Sequence, residues 1–184
     1  MLRRYSSRRA SLHKEFLQQR LNGALRYDRI AGYFQSSLLE LANEELAAIA
    51  RVRIVCNTDV NPDDLRTVRM ATGGRRKELE NELLRVVWNN GHFPHVVDVH
   101  GAPAQQRFRA LYDLITASGK DGRLFEIRVV PDAEFGFVHG KGGVIEGPTG
   151  TTSFIGSAND SANAWNTSAR SKIDPVAFGK TDPC

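Results

Sequence analysis

The sequence between residues 27 and 57 limits the possible folds most, because it predicts a strand, a helix and a second strand in succession. Tyr27–Phe34 (YDRIAGYF) has a β-rich centre, and the Ser36-Ser37 pair can cap a helix over Leu38–Ala50. Arg51–Asn57 (RVRIVCN) is typical of a short apolar strand. Strands joined through a helix pair in parallel by a right-handed crossover. The chain is therefore expected to be an α/β protein.

Apolar periodicity predicts further elements on both sides of this unit. The predicted helices cover residues 11–26, with Ser11 as N-cap, 63–71, 77–89 and 104–117, and the predicted strands cover 96–99 and 123–130. We expect a mixed, mostly parallel β-sheet with helices on both faces.

A hairpin is predicted within Val138–Trp165 (VHGKGGVIEGPTGTTSFIGSANDSANAW), where Gly147 to Gly150 forms a turn signal between two strands. The first strand begins with His139 and Lys141, whose spacing of two places both side chains on one face. The second ends at Gly156-Ser157-Ala158-Asn159. The hairpin should therefore bring an imidazole and an ammonium close to a polar glycine-containing turn.

Three regions follow from these patterns. Residues 1–10 are expected to be a basic, flexible N-terminus, residues 11–166 a single α/β domain, and residues 167–184 an atypical, disordered tail that lacks the apolar strand expected next. That tail predicts a truncated end, an altered end or a loss of activity.

The overall composition favours an anionic partner in the cytoplasm. The net charge is +4 and the pI is about 9.3, which favours nucleic acid or phosphate esters. The two cysteines form no disulfide framework, and no apolar run suits a membrane span or a signal peptide. His92, His95 and His100 lack a fourth ligand, so neither a metal nor another cofactor is expected.

The residues of the hairpin are those that bind and attack phosphate. Lys141 supplies positive charge, and Ser157 and Asn159 supply hydroxyl and amide groups. The imidazole of His139 can attack phosphorus while a second imidazole protonates the leaving oxygen.

The hairpin contains His139-x-Lys141, then an acid, Glu146, after four residues, and then Gly156-Ser157-x-Asn159. Together these features resemble the HKD signature of the phospholipase D superfamily. The resemblance covers about twenty residues. It implies a phospholipase D-like fold and a two-step, metal-independent mechanism in which His139 becomes a phosphohistidine. Lys141 and Asn159 would be catalytic phosphate ligands, and Ser157, Glu146 and Gly156 would support them.

The sequence departs from the family pattern in two places. Glu146 stands where the family usually has Asp, and residues 166–172 lack the acid that the family places about ten residues after the Asn. Asp160 is too close and Asp174 rather far. The single motif implies a symmetric homodimer that shares one active site between two copies of His139.

Substrate choice within the family depends on the rest of the chain. DNA is preferred, because arginines that could contact phosphates are abundant and no interfacial apolar segment is present. The predicted nucleic-acid-binding residues are Arg3, Arg4, Arg8, Arg9, Arg75 and Arg76. The AGYF strand and the following NTDVNPDDL also resemble phospholipase D-like domains fused to bacterial superfamily II helicases, which implies a nuclease domain of a larger helicase, restriction or defence protein. The alternatives are an inactive nucleic-acid-binding or dimerisation module of the same fold, and a lipid phosphodiesterase.

Overall fold

The computed structural model describes residues 3–6, 11–58, 60–79, 81, 104–131, 140–156, 158, 162–165 and 176–181. The strands within these residues are β1 (Arg3–Arg4), β2 (Arg26–Ile30), β3 (Arg51–Asn57), β4 (Leu124–Val130), β5 (Gly142–Gly147), β6 (Gly150–Ile155) and β7 (Val176–Thr181). The helices are α1 (π-helical His13–Leu17 and α-helical Gln18–Leu21), α2 (3-10 Ser36–Leu38 and α-helical Leu39–Ala48), α3 (Pro62–Thr72), α4 (Ala104–Ala117) and α5 (Ala162–Trp165).

The described strands form one sheet in the order β1-β7-β6-β5-β2-β3-β4. β2 pairs in parallel with β3, and β3 with β4, whereas all the other pairings in this sheet are antiparallel. The α/β class, the mixed sheet and the parallel strand–helix–strand unit are confirmed. The prediction of a mostly parallel sheet is wrong, because β5 enters beside β2 in the opposite direction and the strands beyond it continue the antiparallel arrangement.

One face of the sheet carries the main apolar core. Its buried side chains include Tyr27, Val52, Ile54, Phe125, Ile145 and Phe154 from the strands and Phe16, Leu17, Leu39, Leu46, Leu111, Leu114 and Trp165 from α1, α2, α4 and α5. α3 packs on α4 through a second cluster that contains Met70 and Tyr112. Because strand side chains alternate between faces, the strand residues next to these in the chain point the other way.

The opposite face of the sheet is open among the described residues, and we call it the open face. It carries Asp28 and Arg53 together with the exposed apolar residues Ile30 and Ile155. In the described part of the chain, the helices that build the main core share one face, and the prediction of helices on both faces stays a prediction.

The first helix is shorter than predicted. It ends at Leu21, because Asn22 is extended and Gly23 adopts a φ of +71°, a conformation that glycine reaches without a steric penalty. Leu25 is consequently not on a buried helical face and is 53% exposed. Phe16, Leu17 and Leu21 are buried as predicted.

The predicted helices around residues 63–71 and 104–117 are confirmed as α3 and α4. The Asn61 side chain caps α3 by accepting a hydrogen bond of 2.8 Å from the Asp63 N–H. The cap expected from Ser36-Ser37 is not formed by a local side chain. Instead the Asp64 carboxylate, from α3, accepts the Ser36 N–H at 2.8 Å.

Both ends of the chain contribute to the sheet. Arg3–Arg4 pairs with β7, and the Tyr5 and Phe16 rings have centroids 5.1 Å apart, so residues 3–6 are not the flexible terminus that was expected. Val176–Thr181 pairs with β6, so this part of the tail is a strand and not the disordered segment that was expected. Its sequence, VAFGKT, is only weakly apolar, which is why periodicity did not reveal it.

Two predicted elements lie wholly or mostly outside the described residues. They are the strand at 96–99 and the helix at 77–89, of which residues 77–79 are helical. No helix in the described ranges has both the length and the apolar character needed to span a membrane.

Candidate active site

Lys141 and Gly156, one residue from each half of the predicted motif, are neighbours at one edge of the sheet. β5 and β6 are antiparallel neighbours connected through Pro148 and Thr149, and Gly142 lies opposite Ile155. One residue further, the Gly156 N–H donates a hydrogen bond of 2.8 Å to the Lys141 carbonyl oxygen. Lys141 and the beginning of the Gly156–Asn159 segment are therefore adjacent.

This edge is also where the parallel strands β2 and β3 end. Ile30, the last residue of β2, lies opposite Gly142, and the Ala31 N–H donates to the Val55 carbonyl at 3.0 Å. We call this the carboxyl edge. In α/β sheets ligands bind outside the carboxyl ends of parallel strands, where loops and helix starts collect polar groups. Lys141 is half-buried there.

The remaining predicted site residues divide into two groups. Glu146 is exposed and lies opposite Arg26 at the far end of β5. Five residues of extended chain separate it from Lys141, about 16 Å, so Glu146 cannot reach a phosphate held by Lys141. His139, Ser157 and Asn159 lie outside the described residues, and so the position of the complete HxK pair remains a prediction.

Arg29 is a residue of this region that the sequence analysis missed. It lies on β2 and is only 2% exposed. Its Nη2 donates a hydrogen bond to the carbonyl oxygen of Ala158, the third residue of the Gly156–Asn159 segment. The guanidinium also lies over the Phe154 ring, 5.1 Å from its centroid, and 5.7 Å from that of Trp165. No local sequence signal distinguishes it from the neighbouring arginines.

Gly143 makes this arrangement possible. It lies on β5 between Arg29 of β2 and Phe154 of β6. A Cβ atom at Gly143 would be 2.7 Å from the Asp28 carbonyl oxygen and 2.8 Å from Phe154 Cζ, closer than real contacts allow. The missing side chain leaves the space that the Phe154 ring occupies below Arg29.

A charged group lies on the open face beside this edge. Arg53 Nε and Nη2 donate to the Asp28 carboxylate at 2.7 and 2.9 Å, and Arg26 also pairs with it. The hydrogen bonds from Arg53, followed by those from Arg26, lower the pKa of Asp28 to about 2. Asp28 is therefore ionised at neutral pH, and its charge is compensated locally.

The predicted nucleic-acid-binding arginines fall into different places. Arg4 lies opposite Val176 of β7, which lies opposite Ile155 of β6. Two strand spacings, about 10 Å, therefore separate Arg4 from the last residue of β6, and Arg3 is its neighbour. Both are exposed. Arg8 and Arg9 lie outside the described residues.

Arg75 and Arg76 are at the other end of the molecule. α3 begins beyond the end of β3 and its eleven residues span about 16 Å, so its last turn lies away from the carboxyl edge. Arg75 pairs with Glu78 at 3.1 Å, and Arg76 pairs with Asp113 and lies 5.1 Å from the centroid of the Tyr112 ring. The structure thus separates these two arginines from Lys141.

Buried polar groups also occur in the helical layer and at the end of β3. Asp64 is 2% exposed, and burial raises its pKa. Arg107 and Glu40 form a buried ion pair of 3.0 Å. The Asn57 side chain is buried and has no hydrogen-bond partner among the described residues. These groups connect α2, α3 and α4 and were not predicted.

Metal-ligand candidates can be assessed only in part. His92, His95 and His100 lie outside the described residues, and within the described ranges no three His, Cys, Asp or Glu side chains are grouped as ligands. Cys56 is buried in β3 and forms no disulfide with a described residue.

Comparison with known proteins adds no assignment to this geometry. No model of a known protein family matches the sequence, and no curated protein is significantly similar to it.

Proposed function

We propose that this chain is a metal-independent phosphodiesterase that cleaves DNA through a phosphohistidine at His139. The observation that best supports this is the hydrogen bond between Gly156 and Lys141, which joins the two separate halves of the motif at the carboxyl edge. Lys141, with the serine and the asparagine that the motif predicts beside it, is suited to binding a phosphodiester.

The chemistry that follows has two balanced steps. The neutral His139 imidazole attacks phosphorus, the bond to the leaving oxygen breaks, and a second imidazole donates the proton that this oxygen takes up. A water molecule then attacks the phosphohistidine, gives its proton to the second imidazole and releases His139. Lys141 and Asn159 stabilise the charge that develops on the non-bridging oxygens.

The second imidazole is proposed to come from another copy of the chain, because the sequence contains a single His-x-Lys. Ile30 and Ile155 are 48% and 53% exposed and flank Gly142 on the open face, immediately beside Lys141. The Asp28 carboxylate pairs with both Arg26 and Arg53 and offsets one of their two positive charges. Two copies can meet there across a two-fold axis through the exposed isoleucines.

DNA is the proposed substrate. Arg3 and Arg4 lie near the same edge of the sheet as Lys141 and add positive charge there, which suits a polyanion longer than one phosphate. Arg75 and Arg76 are already paired with carboxylates on the helical side, so they are removed from the proposed path.

The decisive experiment incubates the wild-type protein with plasmid and single-stranded DNA in EDTA, beside His139→Ala, Lys141→Ala and Lys120→Ala. Lys120 lies in an exposed turn after α4 and is the matched lysine control. We expect cleavage in EDTA by the wild type and Lys120→Ala, loss of cleavage in His139→Ala, and a decrease of about 100-fold in Lys141→Ala.

DNA binding without cleavage by any of these proteins would contradict the proposal and favour the inactive binding module. Cleavage of phosphatidylcholine in mixed micelles, with none of DNA, would instead favour the lipid phosphodiesterase.

A further inference from the structure

A buried arginine close to a candidate phosphate site needs an explanation. Arginine is almost never fully buried unless its charge and donors are satisfied, because removing a cation from water is costly. Arg29 is 2% exposed and lies on the central strand β2, between β5 and β3. An apolar residue at this position would fill the core without the desolvation cost of a buried cation.

Three of the contacts of Arg29 are to the Ala158 carbonyl and to two aromatic rings. Its Nη2 donates to the Ala158 carbonyl, and its guanidinium carbon lies 5.1 Å from the centroid of the Phe154 ring and 5.7 Å from that of Trp165. Gly143 provides the space for Phe154. The orientation of the guanidinium is thus determined by three strands and α5.

The Ala158 carbonyl belongs to the same planar peptide unit as the Asn159 nitrogen. A donor fixed on this oxygen therefore fixes the plane from which the Asn159 side chain departs. We infer that Arg29 is a positioning residue for the Gly156–Asn159 segment, acting through the Ala158 carbonyl so that Asn159 is oriented toward phosphate. This inference rests on the proposed function, because Asn159 is a phosphate ligand only in that proposal.

The test compares Arg29→Met, which removes the donors and the charge, with Arg29→Lys, which retains a shorter cationic donor. Arg107→Met is the matched control, since Arg107 is a buried arginine whose partner is Glu40 in the helical layer. For each protein, kcat and KM for DNA are measured in EDTA. Amide NMR shifts of Ser157 and Asn159 are followed during titration with inorganic phosphate, and urea unfolding verifies that each protein is folded.

We expect Arg29→Met to lower kcat about 100-fold, as misplacement of a catalytic group by about 1 Å can do, with little change in KM. Arg29→Lys should recover part of this loss, and Arg107→Met should lower stability and leave kcat unchanged. Phosphate binding should weaken about tenfold in Arg29→Met, since orientation of a polar ligand is lost.

If folded Arg29→Met has wild-type kcat and wild-type phosphate binding, or if Arg29→Lys is no better than Arg29→Met, the role of Arg29 is only structural and the inference fails.

A wild type that binds phosphate at Asn159 but does not cleave DNA would contradict the proposed function alone, and weaker binding in Arg29→Met would still support the inference. A wild type whose Asn159 amide does not respond to phosphate would overturn the inference.

Discussion

At the scale of single residues, Asp28 shows how the open face tolerates charge. Its two arginine partners lower its pKa from 3.8 to about 2. A carboxyl group whose pKa is lower in the folded than in the unfolded state stabilises the folded protein at pH values above the unfolded pKa. This stabilisation is lost as the pH falls through the folded pKa. The pKa shift corresponds to a contribution of at most about 2.4 kcal/mol to the free energy of unfolding. Solvent screening of these partly exposed ion pairs reduces the contribution to about 1 kcal/mol.

We therefore expect Asp28→Asn to lower the free energy of unfolding by about 1 kcal/mol at pH 7 and pH 5, and by less at pH 3. Urea unfolding followed by tryptophan fluorescence measures the difference at each pH. Glu126→Gln is the control, because Glu126 pairs on the same face with Arg128, which is largely exposed, and should cost little. A penalty that is the same at pH 7 and pH 3 would show that the carboxylate charge is not responsible.

At the scale of secondary structure elements, the start of α2 depends on a different helix. The Ser36 N–H at this start is buried, and its acceptor is the Asp64 carboxylate of α3. Asp64→Ala would leave that N–H without an acceptor, which costs about 2 kcal/mol. Asp64→Asn keeps a side-chain oxygen at the same place, and burial already disfavours the charge of Asp64. We expect Asp64→Asn to cost much less.

Urea unfolding of both Asp64 variants at pH 7 measures this difference. Thr72→Ala serves as a control, because Thr72 lies at the exposed end of α3 and bonds only to the Val68 carbonyl of the same helix. If Asp64→Ala and Asp64→Asn are equally stable, the acceptor at Ser36 does not hold α2 in place.

The elements that the sequence predicted well are those whose signal is local. Arg51–Asn57 and Ala104–Ala117 have the predicted bounds, because an apolar strand and an amphipathic helix are encoded by neighbouring residues. The cap supplied by Asp64 and the contact between Arg29 and Ala158 join residues 28 and 129 positions apart. Such contacts depend on tertiary packing, which a single sequence does not reveal. The resemblance to the HKD signature rests on residues that are close in the chain, and it stays a prediction.

At the scale of the whole molecule, the open face has a cluster of apolar side chains beside the candidate site. Ile155 is adjacent to Gly156 in the chain, and Ile30 and Ile155 lie on either side of Gly142. Exposed apolar clusters of this kind on a sheet often mark an interface. A second copy that covers this cluster would bring its own carboxyl edge close to the first, as a shared active site requires.

A charge placed in this cluster should therefore separate the two copies. We expect the wild type to sediment as a dimer at micromolar concentration and Ile155→Asp to sediment as a monomer, because an unpaired carboxylate cannot be buried at the contact without a large desolvation cost. Leu65→Asp is the control: Leu65 is also an exposed apolar residue but lies on α3, so this variant should remain dimeric.

The Ile155→Asp monomer should fold normally and lose DNA cleavage, since each copy then has a single His139. A monomeric wild type that cleaves DNA, or a dimeric Ile155→Asp, would show that this face is not where the two copies meet.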